Sequence, residues 1–236
     1  MSGAVALVGS EDSAIAMADL ERELLAATRQ TRPRVAVVSL NGLEPGPDPH
    51  PTVAERFRLL GAEVEPVHVS DPRSNGTSDH LLEASLQAIG EADLVYLGAG
   101  PRRAISRVYA SSRLGAAVAA AHARGAIVAG CGASAMLLGC SHPVMRRRLV
   151  PMPIRWAAGI GAIPDVVVLP AYDSRPEPLV AALALVAPRR LIVVGIDRDT
   201  GLVERDGWIR VYGRGRVTVW RGRHRERFRR GEAFRL

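Results

Sequence analysis

Short apolar runs alternate with amphipathic stretches along the first half of this chain, and that alternation leaves few folds open. Ala4–Val8, Arg34–Leu40, Val64–Val69, Asp93–Leu97 and Ile127–Ala129 each read as a strand, most of them apolar on both sides. Strands of that kind belong to a parallel sheet with helices on each face. Helical spacing predicts helices from Asp12 or Ser13 to about Thr28, from Thr52 to Gly61 and from Ser78 or Asp79 to Ile89. Two more, broken near Ser111, precede Ile127. Further along, Ser141–Gly161 reads as irregular, Val166–Leu169 and Leu191–Ile196 as strands, and Pro178–Val186 as a helix. The Asp206-Gly207 turn between Gly201–Glu204 and Trp208–Tyr212 signals a hairpin, followed by a strand at Val217–Trp220 and an arginine-rich tail from Arg221.

Composition narrows the function classes. All 31 basic residues of the 236 are arginine, which makes the net charge of +7 look like a coding bias rather than a built nucleic-acid surface. The tail interleaves few aromatics with its arginines, Trp220 and Phe228 among them, which also argues against nucleic acid. No segment reaches membrane-span length, and the start has neither the basic region nor the apolar length of a signal peptide, so a soluble cytoplasmic protein without membrane contact is expected. Cys131 and Cys140 imply no disulfide framework. Neither a metal-ligand spacing nor a dinucleotide or phosphate loop is present, so no metal and no cofactor are expected.

In a parallel α/β sheet the site lies beyond the carboxyl ends of the strands. Gly9–Asp12, Asn41–Pro51, Gly98–Arg102 and the turn after Ile127–Ala129 should meet there. That last turn, Gly130-Cys-Gly-Ala-Ser-Ala-Met136, has the makings of a strand-to-helix elbow with a small nucleophile at its apex. Ser134 satisfies the first half of Gly-x-Ser-x-Gly and fails the second at Met136; read without chemistry, it is a helix-capping serine. Cys131 reads as a small buried residue.

Five segments in order resemble the cyanophycinase and peptidase E family of serine peptidases: Gly9-Ser-Glu11, Gly98-Ala-Gly-Pro101, Gly132-Ala-Ser-Ala-Met-Leu137, Gly159–Val168 and Gly195–Val203. They stand where that family has Gly-Gly-x-Glu, Gly-Gly-Asp-Gln, Gly-Thr-Ser-Ala-Gly-Ala, Gly-Leu-Gly-Leu-Leu-Pro and Gly-Ile-Asp-Glu-x-Thr-Ala. The resemblance implies a class I glutamine amidotransferase-like, flavodoxin-like three-layer sandwich as one domain over 1–236. Residues 1–140 would be the mostly parallel core with the elbow, and 141–236 the remainder with antiparallel hairpins. It also implies hydrolysis of peptide bonds next to acidic residues. Ser134 would be the nucleophile, the backbone N–H groups of Ala99 and Ala135 the oxyanion donors, and Gly98, Gly100, Arg102 and Tyr172 the binding residues. The family's general-base histidine is replaced by Ala171, with His50 the one credible stand-in, so weak or no peptidase activity is expected. The alternative is a non-catalytic protein that binds an acidic peptide or small anionic ligand through arginines such as Arg102, Arg103 and Arg146–Arg148; a homodimer is left open.

Overall fold

The structure, a computed structural model, describes residues 2–10, 14–40, 52–69, 79–109, 112–145, 154–188 and 190–236. Its first half alternates as the sequence pattern demands: β1 (Val5–Val8), α1 (Ala14–Ala27), β2 (Arg34–Leu40), α2 (Val53–Leu59), β3 (Glu63–Val69), α3 (Asp79–Glu91), β4 (Leu94–Leu97), α4 (Arg102–Tyr109), α5 (Arg113–Arg124), β5 (Ile127–Cys131) and α6 (Ala133–Leu138). The second half carries β6 (Ser141–Met145), β7 (Ile154–Ala158), β8 (Val166–Pro170), α7 (Glu177–Val186), β9 (Ile192–Ile196), β10 (Thr200–Arg205), β11 (Trp208–Gly213), β12 (Arg216–Arg221), β13 (His224–Arg229) and β14 (Ala233–Arg235).

The main sheet has eight strands in the order β14-β11-β10-β1-β5-β4-β2-β3. Strands β1, β5, β4, β2 and β3 run parallel, and the β10–β11 hairpin joins antiparallel at β1. Alternate residues of the buried strands face opposite cores, as the two-residue period of a strand requires. Ala6, Val8, Val35, Val37, Leu94, Tyr96 and Ala129 meet Met17, Leu20 and Leu24 of α1 and Phe57 of α2. Val5, Leu7, Val38, Val95, Leu97 and Val128 face the other way, onto α5 and α6. This is the expected α/β, flavodoxin-like architecture with a mostly parallel central sheet and added antiparallel strands.

Three features depart from the sequence reading. A second sheet, β13-β12-β9-β8, packs against that latter core through Val166, Val168, Val194, Ile196, Val217 and Val219. The C-terminal hairpins therefore divide: β10–β11 extends the main sheet, while β12–β13 extends the second. Ser141–Gly161, read as irregular, contains the β6–β7 hairpin. The arginine-rich tail is structured as β13 and β14, with Phe228 stacked on Phe234 at 3.9 Å between ring centres. Its arginines are also engaged, since Arg225 and Arg227 both pair with Glu177 at the start of α7. An Arg-Glu-Arg-Phe-Arg pattern hides a strand because its outward face is ionic and only one inward residue is apolar. Among the described residues no helix is long and apolar enough to cross a membrane.

The outer face of the second sheet depends on one glycine. A Cβ on Gly195 would stand 2.0 Å from the Tyr172 ring, and that ring presents its hydroxyl to the indole N–H of Trp220 at 3.1 Å. Gly195→Ala is therefore expected to expel Tyr172 and to cost about 2 kcal/mol or more in urea denaturation, as overpacked cores do.

Candidate functional site

Strands β1, β4 and β5 end level with one another, Val8 opposite Cys131 and Leu97 opposite Gly130. The chain then leaves the sheet at Gly9, Gly98 and Gly132. The Gly132 N–H donates to the Val8 carbonyl at 2.9 Å, and the Gly98 N–H to the Val38 carbonyl at 2.9 Å. The reversal from β5 into α6 happens at Gly132 itself, with φ 56° and ψ −120°, a region that residues bearing a Cβ rarely enter. A Cβ there would meet no heavy atom nearer than the Ala99 Cβ, at 3.7 Å. The apex of the elbow is thus Gly132, facing the Gly98–Gly100 turn across open space.

Ser134 lies elsewhere. It sits in the first turn of α6, is fully buried, and its Oγ donates to the Gly98 carbonyl at 2.7 Å. The expectation that Ser134 stands at the apex is corrected accordingly: its hydroxyl ties the elbow to the neighbouring turn from beneath. Ala135 is equally buried, and the residue after the apex, where an elbow places its oxyanion donor, is the half-exposed Ala133. Ala99 is exposed, with Gly98 and Gly100 half-buried on either side. The sequence contained a signal for this register. Gly130-Cys-Gly-Ala-Ser-Ala135 matches Gly-Thr-Ser-Ala-Gly-Ala at three positions, as does the frame two residues later, but it puts Gly132 under the nucleophile.

The loop after β8 carries further residues of interest. Ala171 is held left-handed at φ 48° and ψ 50°, a conformation that costs a residue with a Cβ roughly 1–2 kcal/mol. Tyr172, expected as a binding residue, is instead buried against Gly195 with its hydroxyl taken by Trp220. Arg175, which the sequence reading passed over, turns back and donates Nε and Nη2 to the Pro170 carbonyl at 3.3 and 3.2 Å. Arg102, at the start of α4, donates to the Pro143 carbonyl at 3.3 Å. Burial, and then the nearby Arg102 charge, push the Arg175 guanidinium down from its ordinary pKa. Neither arginine meets a carboxylate among the described residues. Burial works against ionisation of the neighbouring Asp173, but hydrogen bonds from the Arg198 backbone and side chain more than offset it, and its carboxyl titrates below the usual range.

His142 is buried away from the apex, its Nε2 3.4 Å from the Ser106 hydroxyl, and burial followed by the Arg102 charge pushes it down. His68 contacts Ser39 on strand β3, and His224 is exposed on β13. His50, Glu11 and Arg146–Arg148 lie outside the described residues, as does the loop Asn41–Pro51. Cys131 is buried in the core, and the described residues hold no cluster fit for a metal ion.

No family model matches the chain. Cyanophycinases of Trichormus variabilis and of Nostoc sp. PCC 7120 are each 43% identical to it over 84 residues, 34% of this chain and 26% of theirs. The match thus spans about a quarter of the length of these relatives. The crystal structure of a peptidase from an acI-B1 Actinobacterium superposes with a TM-score of 0.77 at 21% identity, covering 100% of this chain and 98% of that one. A candidate peptidase E protein from Listeria monocytogenes EGD-e gives a TM-score of 0.54 at 13% identity, over 91% of this chain and 100% of that one.

Because the Ser134 hydroxyl satisfies a buried carbonyl, Ser134→Ala should destabilise the protein by about 1–3 kcal/mol, the usual cost of orphaning such a group. A shift of the urea midpoint without a change of slope would record it.

Proposed function

We propose that this chain, which belongs to the cyanophycinase/peptidase E-like family, binds an acidic peptide or small anionic ligand in the cleft around Gly132 and does not hydrolyse it. The observation that carries this reading is the glycine at the elbow's apex. A hydrolase of this kind needs a nucleophile whose proton a neighbouring base removes. Position 132 offers no side chain, and position 171 offers a methyl group where the family's base would stand. General-base assistance alone is worth about 10²–10⁴-fold, so its loss together with the nucleophile leaves only backbone polarisation of a bound carbonyl.

The electrostatics favour an anion. Arg102 and Arg175 lie near enough to repel one another, and both are anchored through neutral carbonyls. A ligand carboxylate placed between them relieves that repulsion and forms charge-assisted hydrogen bonds, which are stronger than neutral ones. The Gly98–Gly100 turn and Gly132, bare of side chains, let a peptide backbone approach closely.

Two measurements test this. In steady-state assays with aspartyl dipeptides and with aspartate–arginine polymer, neither the wild type nor Ser134→Ala should turn over substrate above the uncatalysed rate. Calorimetric titration with the same dipeptides should show binding that Arg175→Gln weakens by about tenfold or more and that added salt weakens further. Robust turnover by the wild type would overturn the proposal, as would binding indifferent to both Arg102→Gln and Arg175→Gln.

A further inference from the structure

Beyond the opposite ends of β1 and β5 lies a cavity of about 800 Å³, lined where β1, β5 and β9 begin and β10 ends. Gly132, Ala171 and Arg175 take no part in it. Its floor is apolar, made by Ala4, Ile127, Ile163, Ile192 and Ile209. Its rim is ionic, with Asp165, Glu204 and Asp206 against Arg29 and Arg205. In a chain of net charge +7, carboxylates thus outnumber guanidinium groups here.

The ion pairing at this rim is incomplete. Arg205 and Asp206 face each other at 3.8 Å. Glu204 accepts the Gly207 N–H at 2.9 Å, while the Asp165 and Arg29 side chains have no ionic partner among the described residues. Nδ1 of His122, on the wall beside Glu204, is buried without a hydrogen-bond partner. Burial keeps that imidazole below its ordinary pKa, with Glu204 opposing, so it does not supply the cation that Glu204 lacks. Arg29, Asp165 and Asp206 are three of the five non-glycine residues with positive φ among the described residues.

A simple organic cation would leave Arg29 unanswered, and a simple anion would leave Asp165 and Glu204 unanswered. A ligand with both charges and an apolar body answers all of them, and the volume suits something larger than a single amino acid. We propose that this cavity binds a short zwitterionic peptide with apolar side chains. Its terminal ammonium is held by Glu204 and Asp165, its terminal carboxylate by Arg29, and its side chains lie on the isoleucine floor. This site is independent of the cleft at Gly132 and does not require that the cleft bind anything.

The test is calorimetric titration of the full chain with Leu-Leu, N-acetyl-Leu-Leu and Leu-Leu amide. Leu-Leu should saturate, and each blocked form should bind about tenfold more weakly or worse, because each loses a charged hydrogen-bonding group. Glu204→Gln should reduce, and Glu204→Gln with Asp165→Asn remove, the difference between Leu-Leu and its acetylated form, and Arg29→Gln should remove the difference between Leu-Leu and its amide. Arg29 is exposed, so that variant should fold even if Glu204→Gln does not. No saturable Leu-Leu binding, equal binding of the three ligands, or binding lost in Arg175→Gln but kept in Arg29→Gln would each overturn the proposal.

Discussion

The seating of α6 on Gly130 governs the cleft. A Cβ at Gly130 would come within 2.9 Å of the Ala135 nitrogen, the Ser134 carbonyl carbon and the Leu138 Cδ1, so the helix rests directly on the end of its own strand. With no slack between strand and helix, the chain must reverse within one residue, and Gly132 takes that conformation. The same closeness buries Ser134 and aims its hydroxyl at the Gly98 carbonyl. One packing constraint therefore fixes both which residue reaches the cleft and which is sealed beneath it. The second sheet packs on α6 through β8, which contributes Val166 and Val168 to the shared core, so the helix has no room to rotate Ser134 outward.

Two loop residues keep demanding backbone conformations without the side chains that would exploit them. Gly132 reverses the chain at positive φ at little cost, as glycine can. Ala171 does so at a cost, offset by the contacts of its neighbours: Tyr172 packs on Gly195, Asp173 accepts from Arg198, and Arg175 clamps the Pro170 carbonyl. The Ala171 loop is thus held from either side.

The parallel core was legible because its strands are short, aliphatic and separated by helical periodicity, signals that burial on both faces imposes directly. The Gly130–Ser134 elbow was legible as an elbow for the same reason. Its register was not, because Gly132-Ala-Ser134 and Gly130-Cys-Gly132 offer the same glycine spacing, and only the contact of α6 with Gly130 separates them. Tyr172 was misread because its partners Gly195 and Trp220 arrive from distant strands. Arg175 was missed because its role depends on Arg102, which the fold brings close from across the chain. Strand β13 escaped notice because Arg225 and Arg227 pair with Glu177 where an apolar face would otherwise mark a strand, and β14 because it is only three residues long.

The register of the elbow is the central claim, and reaction with a fluorophosphonate probe followed by peptide mass spectrometry tests it most directly. Wild type and the Gly132→Ser, Ala171→His double variant would be compared, with circular dichroism to establish that the variant is folded. The expected result is no adduct on the wild type and an adduct on residue 132 of the variant. An adduct on Ser134 of the wild-type protein would contradict the account.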